Sequence, residues 1–296
     1  MGHNFRMTTH TPADLPDAAS ERPARYLRVL SIAGSDSGGG AGIQADLKTF
    51  SALGCYGMTA IAAITAQNTC GVRAIHGIPA EMLKAQIDAV VQDIGVDAVK
   101  IGMLASPETV RVVADAIRQY QLPHVVLDPV MVATSGDRLI ATETSDALVR
   151  ELFPLVELVT PNLDEAGWLL GQPIDGIAAL EGAARQLLAL GAPAVLLKGG
   201  HLSGDWVVDL LAEHDAPSLR LESARIVTRN GHGTGCTLSS AIAAELAGGA
   251  TLPQAVASAR HYILGAIAAG ADVRTGSGHG PLNHGYAPRV QTIVRG

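Results

Sequence analysis

From Tyr26 onward, short apolar runs alternate with amphipathic stretches, and this alternation constrains the fold more than any other feature of the chain. The first apolar run covers Tyr26 to Ala33, and in Gly42 to Leu53 the apolar residues recur at helical spacing. Such repeated units predict an α/β protein with a mostly parallel, doubly wound sheet. Further buried strands are predicted at Thr59–Thr65, Ala98–Ile101, His124–Leu127, Leu158–Thr160 and Ala194–Leu197.

The remaining pattern completes one domain. Two segments, Asp205–Leu211 and Leu219–Val227, predict an antiparallel addition to the sheet. Further helices are predicted at Pro79–Ile94, from Ser106 onward, at Thr234–Ala247 and at Leu252–Ala269. Residues 1–25 have no apolar period and are predicted to be a disordered tail, whereas residues 26–296 are predicted to form a single domain.

Composition excludes several classes of function. The formal net charge of -7 argues against a nucleic-acid binder, because phosphate neutralisation needs clustered Lys and Arg. The chain contains no uninterrupted run of 18 apolar residues, so no membrane span is expected. Its three cysteines match no metal spacing, which favours a reduced, cytoplasmic setting over a disulfide framework.

Polar and glycine residues follow the predicted strands, at the edge of a parallel sheet where ligands usually bind. The segments that do so are Gly34–Asp36, Gln67–Asn68, Gly102–Met103, Asp128–Pro129, Pro161–Asn162 and Lys198–Gly200. This clustering predicts a ligand site at the carboxyl ends of the strands.

The glycine-rich loop from Gly34 to Gly42 joins the first strand to the first helix. It is not a Walker A loop, because no Gly-Lys-Ser/Thr follows. The loop could be a flexible turn, but Asp46 and Lys48 lie one turn into the helix, within reach of a polar ligand. We therefore interpret it as a ligand-binding loop.

A second glycine loop, Gly233–Thr234–Gly235–Cys236, precedes a predicted helix. Its backbone N–H groups can converge on an anion, and the helix N-terminus adds favourable partial charge. The same field is expected to lower the pKa of the Cys236 thiol. Cys236 is therefore interpreted as a base or as a donor of the anion site, whereas Cys55 and Cys70 are interpreted as structural.

Four residues after other strands suit a metal–nucleotide site. Asp128 and Glu165 offer carboxylates for Mg²⁺, while Asn162 and Lys198 could bind the phosphates of ATP. Each has a simpler alternative: Asn162 could be a helix cap and Lys198 a solvated strand end. Taken together, they describe a kinase site.

The chain resembles the hydroxymethylpyrimidine/phosphomethylpyrimidine kinases from residue 28 to about residue 284. The motifs that carry the resemblance are Ala33–Thr49, Ala66–Thr69, Lys100–Leu104, Leu127–Met131, Thr160–Asn162, Lys198–His201 and His232–Thr237. The resemblance implies a ribokinase-like three-layer α/β/α fold and a role in thiamine biosynthesis. It also implies two ATP-dependent phosphorylations, first of the hydroxymethyl group of a pyrimidine and then of the resulting monophosphate.

The resemblance also implies roles for particular residues. Gln67 would recognise the pyrimidine ring, and Asp46 would accept a hydrogen bond from the substrate hydroxyl. Gly34, Met103 and Val130 would line the pocket. Cys236 stands where ribokinase relatives generally have an Asp, and relatives of this kind suggest a homodimer.

Three alternatives remain at this point. A pyridoxal-type vitamin kinase would share the fold. A dinucleotide-binding oxidoreductase would need an acidic residue at the end of the second strand, where this chain has Thr65, Ala66 and Gln67. A non-catalytic pyrimidine-binding regulator would not need the anion loop.

Overall fold

The computed structural model describes residues 24–131 and 139–295. Within these ranges nine strands form one sheet, in the order β10-β9-β8-β7-β6-β5-β2-β3-β4. Six strands run parallel to one another: β2, β3, β5, β6, β7 and β8. At one edge β4 pairs antiparallel with β3, and at the other edge β9 pairs antiparallel with both β8 and β10. The bounds are β2 Arg28–Asp36, β3 Tyr56–Asn68, β4 Gly71–Gly77, β5 Ala98–Ile101, β6 Val125–Leu127, β7 Leu158–Val159, β8 Ala194–Leu197, β9 Trp206–Glu213 and β10 Leu219–Ala224. A separate pair joins β1 Arg25–Tyr26 to β11 Ile293–Val294.

Helices cover both faces of the sheet, which gives the expected three layers. One apolar core lies under α2, α3, α5 and α6, and a second core lies under α1, α7 and α8. The bounds are α1 Gly42–Ala52, α2 Ala80–Asp93, α3 Pro107–Tyr120, α4 Thr142–Ala147, α5 Leu163–Leu170, α6 Leu180–Ala189, α7 Thr234–Ala247 and α8 Leu252–Gly270. The α/β prediction, with a mostly parallel sheet, is therefore confirmed.

The elements depart from the predictions in several places: β3 extends beyond the predicted Thr59–Thr65 at both ends, and the helices α4, α5 and α6 were not predicted. The first predicted strand, Tyr26–Ala33, is divided: Tyr26 belongs to β1, and β2 runs on through Gly34 to Asp36. The strand β4 was not predicted, because this edge strand is mostly exposed and carries little apolar alternation. The antiparallel pair β9–β10 is confirmed.

The predicted tail of residues 1–25 falls largely outside the described residues. Its last residue, Arg25, is described, and it pairs with Val294 in the small two-stranded sheet. Across the described ranges, every helix is too short or too polar to cross a membrane.

Candidate active site

A cavity of about 500 Å³ opens at the carboxyl edge of the sheet, between the two glycine loops. Its walls come from the ends of β2, β3, β5, β6, β7 and β8 and from the start of α7. Twelve predicted site residues line it: Gly34, Gln67, Met103, Asp128, Val130, Asn162, Glu165, Lys198, Gly233, Thr234, Gly235 and Cys236. Asp46 does not line the cavity, and we return to it below.

The anion loop has the geometry that its glycines predict. Gly233 adopts φ +84 as the N-cap of α7, and a Cβ there would lie 1.9 Å from the carbonyl oxygen of Gly40. Only glycine therefore fits at this position. The Thr234 N–H donates to the Gly231 carbonyl oxygen at 3.3 Å, whereas the N–H groups of Gly235 and Cys236, in the same first turn, have no intrahelical acceptor and can bind an anion in the cavity. A Cβ on Gly235 would lie 3.1 Å from the Nζ atom of Lys198, which places a cation beside these N–H groups.

The Cys236 thiol is neutral in this site. Burial raises its pKa to about 11, and the nearby Lys100 ammonium only partly offsets this. Two carboxylates, Asp46 and Asp128, raise the pKa further. The expectation that the helix field lowers the thiol pKa was therefore wrong, because desolvation outweighs it.

Asp128 and Lys198 form an ion pair in the cavity wall. The Lys198 Nζ atom lies 2.9 Å from Asp128 Oδ1, and the two side chains are 12% and 2% exposed. The Thr160 hydroxyl donates to the same Oδ1 atom at 3.2 Å. Although burial opposes the charged form, the neighbouring carboxylates raise the pKa of Lys198, so the cation persists. The pair is therefore a fixed charged element facing the ligand space.

Asn162 and Glu165 cap α5. The Asn162 side-chain oxygen accepts from the Glu165 N–H at 2.9 Å, and Glu165 Oε2 accepts from the Asn162 N–H at 2.8 Å. Asn162 thus has the capping role named as its alternative, while it also lines the cavity. Burial raises the pKa of Glu165 to about 7; Lys198 opposes this rise and Asp128 adds to it.

Asp128 and Glu165 suit Mg²⁺ only together with other ligands. Within residues 24–131 and 139–295, no group of three or more His, Cys, Asp or Glu side chains could hold a metal by itself. Mg²⁺ at kinase sites is commonly bound by one or two carboxylates together with water and phosphate oxygens, and these two residues match that pattern.

The opposite end of the cavity is lined by Gly34, Gln67, Met103 and Val130. Met103 packs so closely against the backbone of Gly34 that a Cβ there would lie 2.8 Å from the Met103 Cε atom. Gln67 is held in place because its Oε1 atom accepts from the Thr65 hydroxyl at 3.1 Å and its backbone N–H donates to Ser37 at 2.8 Å. This end can receive a flat ring and offer it an amide.

The position of Asp46 requires a correction. Its side chain is fully buried, and its two oxygens accept from Ser31 at 2.6 Å, from Ser240 at 2.7 Å and from Lys100 at 2.9 and 3.0 Å. A carboxylate has about four acceptor positions, and these four contacts use them. The prediction that Asp46 accepts from the substrate hydroxyl is therefore wrong for this conformation.

Comparison with known proteins agrees with this geometry. A family described as phosphomethylpyrimidine kinase matches residues 36–283. A hydroxymethylpyrimidine/phosphomethylpyrimidine kinase of Rhizobium meliloti is 54% identical over 256 residues, which are 86% of this chain and 96% of that protein. The chain belongs to the phosphomethylpyrimidine kinase family. The enzyme of the same name from Escherichia coli is 44% identical over 89% of this chain and 99% of its own.

Solved structures give the same fold and a second substrate class. The phosphomethylpyrimidine kinase of Clostridium difficile is 43% identical and superposes with a TM-score of 0.72 over 81% of this chain and 99% of its own. The pyridoxal kinase of Staphylococcus aureus in complex with AMP-PCP and pyridoxal is 32% identical, with a TM-score of 0.81 over 92% of this chain and 98% of its own. The ribokinase-like fold is thereby confirmed, and the chain is a phosphotransferase.

Sequence reasoning missed three side chains of this kinase site. Lys100, Asp36 and His232 all line the cavity, although none was assigned a role. A Lys within the apolar run of β5 was a usable signal, because a buried ammonium needs a carboxylate partner. Asp36 and His232 were harder to identify from the sequence. Each lies at a glycine loop, but the two residues are far apart in the sequence, so their contact could not be predicted.

Proposed function

We propose that this kinase phosphorylates 4-amino-5-hydroxymethyl-2-methylpyrimidine with ATP and then phosphorylates the monophosphate to the diphosphate, in thiamine biosynthesis. The observation that carries the proposal is the division of one cavity into a ring-binding end at Gln67 and a phosphate-binding end at α7. The names of the curated relatives support it, since they act as hydroxymethylpyrimidine/phosphomethylpyrimidine kinases.

At the phosphate end, the protein supplies charge and position. The γ-phosphate of ATP would lie against the N–H groups that begin α7, with Lys198 beside it. Asp128 and Glu165 would hold Mg²⁺, which neutralises phosphate charge when bound. Phosphoryl transfer passes through a loose transition state in most analyses, so fixed donors and cations contribute most of the catalysis. A neutral Cys236 thiol is compatible with this mechanism.

At the ring end, Gln67 would bind the aminopyrimidine edge. Its amide can donate and accept at once, which matches a ring nitrogen beside an amino group. The Thr65 hydroxyl shares its single proton between the Ser35 carbonyl oxygen at 2.9 Å and Gln67 Oε1 at 3.1 Å, and the backbone bond to Ser37 holds Gln67 beside the cavity before the ring arrives. The apolar side chains of Met103 and Val130 would cover the ring.

The second phosphorylation would use the same charges. A monophosphate already carries a nucleophilic oxygen, so this step needs no strong base. Its extra negative charge would require the cation of Lys198 and the N–H groups of α7 more strongly than the first step does.

A pyridoxal kinase is the second candidate, because the Staphylococcus aureus pyridoxal kinase superposes with a higher TM-score than the Clostridium difficile enzyme. Sequence identity favours the pyrimidine kinases, at 43–54% against 32–38% for the pyridoxal kinases.

The deciding experiment measures ADP release by the purified protein with MgATP and, in parallel, hydroxymethylpyrimidine, its monophosphate or pyridoxal. We expect the two pyrimidines to give the higher kcat/KM values. A preference for pyridoxal would transfer the assignment to the second candidate, and failure to turn over both pyrimidines would reject the proposal.

We further infer a cytoplasmic homodimer. The β3–β4 hairpin at the edge of the sheet exposes Ile64 at 49%, and a second copy could cover this side chain. Sedimentation of the wild type and of Ile64→Lys tests this: a monomeric wild type, or a dimer unaffected by the substitution, would contradict it.

A further inference from the structure

The two glycine loops are joined by a buried hydrogen bond between a histidine and a carboxylate. Asp36 ends β2 in the first loop, and His232 lies in the second loop, just before the N-cap of α7. The His232 Nε2 atom lies 2.9 Å from Asp36 Oδ2, and the two side chains are 9% and 4% exposed. Since a carboxylate only accepts, Nε2 is the donor in this contact.

The same carboxylate also organises its own loop. Asp36 Oδ1 accepts from the Gly38 N–H at 2.7 Å, and Oδ2 accepts from the N–H groups of Gly40 at 3.0 Å and Ala41 at 2.9 Å. Although burial opposes the charged form, the His232 contact and these N–H groups lower the pKa of Asp36. Asp36 therefore contributes both to the shape of the first loop and to its contact with the second.

Close backbone approach reinforces this junction. A Cβ on Gly40 would lie 2.4 Å from the His232 Cδ2 atom, and a Cβ on Gly233 would lie 1.9 Å from the Gly40 oxygen. The two loops therefore contact each other mainly through glycine backbone, and few side chains lie between them to hold one loop in position relative to the other. The Asp36–His232 pair supplies the directional contact that such an interface needs.

The junction lies between the two ends of the cavity. The Gln67 Nε2 atom is 3.5 Å from His232 Nε2, and the backbone of Gln67 is bound to Ser37 of the first loop. On the other side, His232 immediately precedes Gly233 of the anion loop. A shift of the junction would move the ring-binding end relative to the phosphate-binding end.

We propose that Asp36 and His232 are positioning residues that fix the distance between the acceptor oxygen of the substrate and the phosphoryl group of ATP. The inference rests on the proposed function, because it assigns the two ends to these two ligands. Transfer needs the reacting atoms at about 3–3.5 Å, and a misplacement of about 1 Å can cost about 100-fold in rate. Each ligand binds to its own end, so the pair acts on transfer more than on the binding of either ligand alone.

The test compares His232→Leu with His232→Gln, whose amide can replace the Nε2 donor, and with His284→Leu as a matched control. His284 is also a buried histidine, bonded to the α7 residue Thr237 at 3.0 Å, but it lies outside the cavity wall. We expect His232→Leu to lower kcat by about 100-fold relative to His284→Leu. The Kd of each ligand measured alone should change by less than about threefold, and His232→Gln should recover most of the loss.

Two results would overturn the proposal: an equal kcat in His232→Leu and His284→Leu, or a loss of pyrimidine affinity in proportion to kcat. Hydrogen exchange supplies a readout that needs no substrate. The N–H groups of Gly38, Gly40 and Ala41 should exchange at least about tenfold faster in His232→Leu than in His284→Leu, and equal rates would refute the junction. If the wild type turned over neither pyrimidine, the proposed function would fail while the exchange comparison still tested the pair.

Discussion

Two lysine–carboxylate pairs of similar geometry lie near the cavity, and they differ in what remains for a ligand. Lys100 contacts Asp46 at 2.9 Å, and Lys198 contacts Asp128 at the same distance. The Asp46 oxygens receive four contacts from three donor groups and are fully buried. In the described part of the chain, the Thr160 hydroxyl and the Lys198 ammonium both donate to Oδ1 of Asp128. The other oxygen, Oδ2, would lie 3.5 Å from a Cβ on Gly235.

A charged pair can bind a ligand or a metal only where one of its polar atoms is not already used by protein hydrogen bonds. The inner pair, Lys100–Asp46, connects β5, α1, β2 and α7 beneath the cavity through Ser31 and Ser240. In the proposed function, the outer pair, Lys198–Asp128, would offer the Oδ2 oxygen to Mg²⁺ and the ammonium to a phosphate. We therefore expect loss of the outer pair to affect turnover, and loss of the inner pair to affect stability.

The largest effect is expected for Lys198→Met. Removing a fixed cation from the phosphate end should lower kcat by about 1,000-fold in both phosphorylations, because transition-state charge then lacks compensation. Steady-state kinetics with each pyrimidine measures this, and Lys84→Met at an exposed helical pair is the control. A loss below about tenfold would place the transferring phosphate elsewhere.

A double substitution of the inner pair sharpens the comparison. Lys100→Met alone leaves the Asp46 carboxylate buried without its cation, and this should cost about 3–5 kcal/mol in the free energy of unfolding. Combining it with Asp46→Asn should restore most of that stability and keep kcat within about tenfold of wild type.

Urea unfolding and steady-state kinetics of the two double variants, one for each pair, test this difference. The outer double, Asp128→Asn with Lys198→Met, should recover stability without recovering activity. If the inner double were folded yet as inactive as the outer double, the division between the two pairs would be wrong.

Cys236→Ser should have a smaller effect. Because burial raises the thiol pKa to about 11, we expect the anion loop to act through its backbone, which serine retains. Both phosphorylations should therefore slow equally, by less than about tenfold. A loss above about 100-fold confined to the first phosphorylation would instead identify the sulfur as the base.

Apart from any loss of turnover through the proposed Mg²⁺ site, Glu165→Gln is expected to give the smallest effect on folding, a change in stability with pH. The pKa of Glu165 is raised from 4.5 to about 7, so the folded state holds a proton that the unfolded state releases. The wild type should therefore lose stability as pH rises from 4.5 to 7. Glu165→Gln lacks this loss and should melt a few degrees above the wild type at pH 8 but not at pH 4. Parallel melting curves across this range would contradict the shift.

Local patterns were sufficient to predict much of the fold. The continuous apolar run Ala194–Leu197 and the glycine-capped helix Thr234–Ala247 have their predicted bounds. The edge strand β4 was missed, since an exposed strand leaves no apolar period to detect.

The sequence was sufficient to predict that the site lies at the ends of the strands, but not which side chains would form hydrogen bonds with one another there. Asp46 was misassigned because its donors come from three other elements, and one of them, Ser240, is 194 residues away. Asp36 and His232 are 196 residues apart. The Cys236 pKa depends on burial, which the neighbouring sequence does not reveal.

Phosphorus NMR during a single incubation with hydroxymethylpyrimidine and MgATP tests whether one cavity carries out both phosphorylations in succession. One cavity with a ring-binding end and a phosphate-binding end predicts that a monophosphate resonance appears first and is then replaced by the two resonances of the diphosphate. A monophosphate that accumulates without further conversion, or the absence of any phosphorylated pyrimidine, would contradict this account.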